Sequence, residues 1–120
     1  MKYTSTRDSS TIASFEHAIC SGYAPDGGLF VPHSLPQVTP TTLEKWAKLS
    51  YPELAHSVLR LFIATEELPD DDLEFICKSA LQGFDHPDHV PIRQVGGIYV
   101  AELFHGPTFC FKDLGCVGAV

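Results

Sequence analysis

Residues 21–40 read SGYAPDGGLFVPHSLPQVTP, and no other stretch restricts the fold more tightly. Proline removes a backbone donor and blocks a helix interior, and glycine weakens helices and strands alike. The stretch therefore cannot be a regular element. Asp26-Gly27-Gly28 reads as a tight turn, and Leu29-Phe30-Val31 as a brief extended piece ended by Pro32. Its apolar residues predict an ordered loop packed on a surface rather than a flexible linker, and long ordered loops often serve function.

Short elements are expected on either side. The first seven residues, with Tyr3, Thr4 and Thr6, suit a short strand. Ser14 can cap a helix whose face carries Phe15, Ala18 and Ile19 and which Gly22 stops. Beyond the loop, Thr41 or Thr42 is expected to cap a helix carrying Leu43, Trp46 and Ala47. Ser50 and Glu53 form a capping-box pattern with Pro52 in the first turn, ahead of an apolar stripe of Leu54, Val58, Leu61 and Phe62. Acids at Asp70, Asp71 and Asp72 start a further helix, complementing its dipole. There Leu73, Ile76, Cys77, Ala80 and Leu81 keep i, i+3, i+4, i+7, i+8 spacing, and Gly83 is the expected stop. Residues 90–95 and 98–103 flank Gly96-Gly97 as a β-hairpin. The loop Phe104-His105-Gly106-Pro107-Thr108 follows, then an apolar segment suited to open another helix. The sum is an α+β fold of helices with short strands and a hairpin, without repeats.

The chain has 120 residues and a formal charge of -7. That balance disfavours nucleic acid and offers no basic stripe to anionic lipid, so neither is an expected partner. No run approaches the roughly 18 apolar residues of a membrane span, and residues 1–8 lack a signal-peptide apolar stretch. Cys20, Cys77, Cys110 and Cys116 form no CxxC pair, so reduced thiols and a cytoplasmic location are expected.

Most chemical patterns are weak. His86-Pro87-Asp88-His89 spaces two imidazoles three apart, but no second ligand pair follows at zinc spacing, so a solvated turn is expected and no metal. Cys110 and Cys116 read as small core residues. There is no GxSxG elbow, and Gly27-Gly28 lacks the spacing of a nucleotide loop. Lys112 is different: it follows Phe109-Cys110-Phe111 and the rigid turn Gly106-Pro107-Thr108. One reading is a snorkelling lysine with a wet amine. The other is an amine made nucleophilic by an apolar pocket and able to form a Schiff base.

LFHGPTFCFKD, residues 103–113, closely resembles the threonine synthase segment that carries the lysine bound to pyridoxal 5'-phosphate (PLP). YTSTRD (3–8), SFEHAICSGYAPDGGLFVPHSLPQV (14–38) and WAKLSYPELAHSVLRLFI (46–63) resemble that family's N-terminal domain, in the same order. The resemblance implies the N-terminal domain of a fold-type II PLP enzyme, related to the tryptophan synthase β subunit. It places an N-terminal domain at residues 1–104 and the start of a truncated PLP-binding catalytic domain at 105–120. It implies a PLP-dependent lyase that converts O-phospho-L-homoserine and water to L-threonine and phosphate.

On this sequence the resemblance makes Lys112 the catalytic, PLP-bearing residue. Phe111 and Asp113 would join it at the cofactor, and His105, Gly106, Pro107 and Thr108 would shape the substrate side. Two departures matter. Leu114 to Val120 is wholly uncharged where the family commonly continues with polar helix positions. The family's glycine-rich phosphate loop, and its Ser or Thr facing the pyridine nitrogen, come from sequence downstream of Val120. The 120 residues alone are therefore expected to be inactive, with the missing catalytic region or self-association as a partner. A phospholyase that only eliminates phosphate, or a non-catalytic docking module, are the alternative readings.

Overall fold

The computed structural model describes residues 1–116. Residues 117–120 of the expected final helix lie outside the described residues. Strand β1 (Tyr3–Ser5) is the centre of a small antiparallel sheet, with β2 (Ile12–Ala13) on one side and β3 (Phe30–Pro32) on the other. Tyr3 pairs with Ala13 and with Pro32, and Ser5 with Phe30. All three β1 residues are buried. The Tyr3 hydroxyl donates to the Phe62 carbonyl at 3.0 Å, tying the sheet to the helical block 59 residues away. Strand β2 was not foreseen: two residues carry no alternation, and it exists only because β1 supplies a ladder.

Helix α1 (Phe15–Ser21) starts as expected, with the Ser14 hydroxyl accepting from the His17 amide at 3.1 Å. It ends at Gly22, whose φ of 68° suits a residue without Cβ. The long loop is stitched to β1. Asp26 Oδ1 accepts from the Gly28 amide and the Ser5 hydroxyl, both at 2.8 Å. A Cβ on Gly28 would collide with the Ser5 hydroxyl, so the second glycine of the pair permits this close approach.

Helix α2 (Pro40–Trp46) is capped by Thr39 rather than by Thr41 or Thr42. The Thr39 hydroxyl accepts from the Thr42 amide at 3.2 Å, and Pro40 takes the first helical position, where its missing N–H costs nothing. In α3 (Tyr51–Leu59) the Glu53 carboxylate accepts from the Ser50 amide at 2.8 Å and the Ser50 hydroxyl at 2.6 Å. The helix stops at Leu59, so Leu61 and Phe62 lie beyond it rather than on its stripe. Arg60 caps the helix, and its guanidinium donates to the carbonyls of Ile63, Leu68 and Pro69 in the segment that follows and pairs with Asp70 at 3.0 Å.

Helix α4 (Asp70–Ala80) ends with Leu81 as its cap, two residues before Gly83. Leu73 and Cys77 on its inner face meet Ile63 in the core, with Phe15, Ala55 and Leu68 packed around them. The expected hairpin forms from β4 (Ile92–Val95) and β5 (Ile98–Ala101), Val95 facing Ile98, with all eight residues exposed. A short α5 (Asp113–Cys116) follows the loop, so the α+β expectation holds. No helix among the described residues is long and apolar enough to cross a membrane.

Candidate functional site

The turn from His105 to Asp113 is held at both ends. At its far end Asp113 is buried, 6% exposed, although aspartate is rarely so. Its carboxylate accepts from the Thr108 amide at 2.9 Å and from the Thr108 hydroxyl at 2.6 Å, while its own amide donates to the Cys110 carbonyl. The Thr108 hydrogen bonds hold the Asp113 carboxyl below the usual aspartate range. Gly106 packs so close to Asp113 that a Cβ there would lie 2.5 Å from Asp113 Cβ. Phe109 has φ of 59°, an uncommon conformation for a residue with a side chain, fixed where its amide donates to the Gly106 carbonyl.

At the near end His105 is clasped. Its Nδ1 lies 2.7 Å from Asp85 Oδ1 and its Nε2 lies 2.8 Å from Glu102 Oε2. The Asp85 amide also donates to the His105 carbonyl at 3.0 Å. Arg93 on β4 faces Glu102 at 3.5 Å. Hydrogen bonding to Glu102, then to Asp85, raises the His105 pKa, and the His105 bond lowers that of Glu102. Sequence reading missed these partners. Glu102 is three residues away, but Asp85 is 20 away and no local pattern links it to His105.

Between the two ends Lys112 is exposed, and its carbonyl accepts from the Gly115 amide. Phe109 and Phe111 are 72% and 62% exposed, so these two rings do not wall the amine into an apolar pocket. The Asp113 carboxylate is turned to Thr108, which donates to both of its oxygens. The turn therefore presents a primary amine on a backbone fixed at both ends. Pro107 is exposed, and Cys110 is half-buried rather than a core residue.

The other patterns stay structural. His89 stacks on Tyr51 with ring centroids 5.5 Å apart, and His86 receives the Asp88 amide. Among the described residues no cluster of His, Cys, Asp and Glu suits a metal. An apolar trough of about 550 Å³, lined among others by Tyr3, Phe15, Phe62, Ile76 and Leu114, lies beside the core. Its lining is mostly apolar and holds no Lys, Arg or His.

An α+β domain that delivers an amine-bearing turn is the class these observations define. A family model described as "Threonine synthase N terminus" matches residues 2–81. The chain is 46% identical to threonine synthase-like 2 of Xenopus laevis, over 98% of this chain and 26% of that protein. It is 47% identical to threonine synthase of Saccharomyces cerevisiae, over 93% of this chain and 23% of that one. The structure of PLP-bound threonine synthase from Brucella melitensis superposes with a TM-score of 0.88 at 39% identity, over 94% of this chain and 24% of that one. The chain belongs to the threonine synthase N-terminal family. It spans about a quarter of the length of the relatives it matches.

Proposed function

We propose that these residues are the N-terminal part of a PLP-dependent threonine synthase, which converts O-phospho-L-homoserine and water to L-threonine and phosphate. The observation that carries the reading is the exposed Lys112 amine on a turn locked by the buried Asp113. Residues 1–104 are the N-terminal domain and 105–120 begin the catalytic domain. Bound PLP supplies the electron sink for carbanions on the substrate. Lys112 holds the cofactor and moves protons at the substrate's α and neighbouring carbons. Asp113 serves the cofactor site by fixing the turn, since Thr108 occupies its oxygens. Phe111 presents an exposed ring beside Lys112 for contact with the cofactor. Gly106, Pro107 and Thr108 shape the substrate side. The 120 residues alone do not turn over substrate, because the groups that hold the cofactor phosphate come from elsewhere in the protein.

A second reading keeps the site and shortens the reaction to elimination of phosphate. The chain is about as similar to a threonine synthase-like 2, at 46% identity, as to a threonine synthase, at 47%, so the likeness alone does not choose between the two reactions. Product analysis separates the two. The complete protein, given O-phosphohomoserine, is expected to release threonine and phosphate in equal amounts. Release of phosphate with 2-oxobutyrate and ammonia instead makes it a phospholyase. Lys112→Ala abolishes either product; turnover retained in that variant removes Lys112 from the mechanism.

A further inference from the structure

We propose that His105 is a positioning residue: a doubly donating imidazolium, clamped between Asp85 and Glu102, that fixes the start of the Lys112 turn to the segment after α4. A neutral imidazole has one N–H and one lone pair, so it satisfies only one of two facing carboxylates. Here each ring nitrogen lies within 2.8 Å of a carboxylate oxygen, and both must donate. The ring is 14% exposed and its Glu102 partner 21%, whereas Asp85 is 64% exposed, so solvent screens the Asp85 pair more than the Glu102 pair. Backbone and side chain of His105 reach the same partner, since the Asp85 amide donates to its carbonyl. The two carboxylates that face the ring favour a cation, and Arg93 and His86 around them do not. Asp85 lies on one side, Glu102 on the other with Arg93 behind it, and the His86 ring, beside Asp88, sits 4.9 Å away. Loss of the proton leaves two carboxylates facing a ring with a single donor.

His105 immediately precedes Gly106, the residue packed against Asp113, so loosening the clasp loosens the turn that carries Lys112. Because both ring nitrogens are occupied, His105 acts on the substrate side through position and not by contact. A group whose folded pKa is raised stabilises below its unfolded pKa, and that contribution is lost as pH rises through the folded value. The clasp therefore opens on the alkaline side of the ordinary histidine range.

This inference rests on the reading of Lys112 as the PLP residue, and the test keeps the two apart. In the complete protein, the His105 imidazole is titrated by NMR and retention of PLP is followed across the same pH range. His105 is expected to titrate above ordinary histidine, and Asp85→Asn and Glu102→Gln each to lower its midpoint. Loss of PLP should follow that midpoint in all three proteins. His105→Ala should weaken PLP binding by roughly tenfold or more and erase this pH dependence. An ordinary midpoint unmoved by either carboxylate variant overturns the clasp. A raised midpoint with PLP retention indifferent to it overturns the positioning role. A protein that holds no PLP at Lys112 overturns the functional reading, while the titration still decides the clasp.

Discussion

Gly106 and Asp113 are packed so closely that a side chain on the first would occupy the space of the second, with a Cβ 2.5 Å from both Asp113 Cβ and Oδ2. Asp113 cannot give way, because Thr108 holds both its oxygens. Gly106→Ala should therefore destabilise the protein by about 2 kcal/mol and displace the turn. Denaturant unfolding checks the first and PLP affinity the second. An alanine variant of unchanged stability would show that the turn tolerates a Cβ.

Asp113→Asn replaces an acceptor-only group with one that also carries donors facing Thr108. The wild-type carboxyl has a depressed pKa, so its contribution is present above the ordinary aspartate range and lost as pH falls through its lower folded value. The variant should be less stable near neutral pH and should lose part of the acid-side decline. Unfolding midpoints measured from neutral to acid pH distinguish this from a uniform offset, which would contradict the assignment.

Ser50→Ala removes a hydroxyl bonded to Glu53 at the start of α3 and should cost about 1 kcal/mol. Leu73 is 2% exposed at the centre of the core, and Leu73→Ala should cost about 3 kcal/mol. Comparison of the two by chemical denaturation tests whether the core between α3 and α4 carries the domain. A Leu73 variant no weaker than the Ser50 variant would contradict it.

Much of this architecture is legible because its signals are local. Ser14 and Ser50 mark helix starts, Leu73 and Cys77 share a helix face, and Gly96-Gly97 separates two strands. What was missed is set by contacts distant in sequence or by one side chain's reach. Ile12 and Ala13 become a strand only beside Tyr3 and Thr4. Leu61 and Phe62 lie past the helix end, in a segment whose following carbonyls Arg60 binds from a distance that no local pattern reveals. At the site, the motif identified the turn, but not that Thr108 consumes the Asp113 carboxylate or that Asp85 reaches His105. Nor did the apolar spelling around Lys112 enclose it, since Phe109 and Phe111 face outward.

The most direct test of the central claim is borohydride reduction of the complete protein with PLP bound, followed by peptide mapping. The account predicts one reduced pyridoxyl label, on the peptide containing Lys112. A label on Lys2, Lys45, Lys48 or Lys78, on a lysine outside this chain, or spread without preference would contradict it.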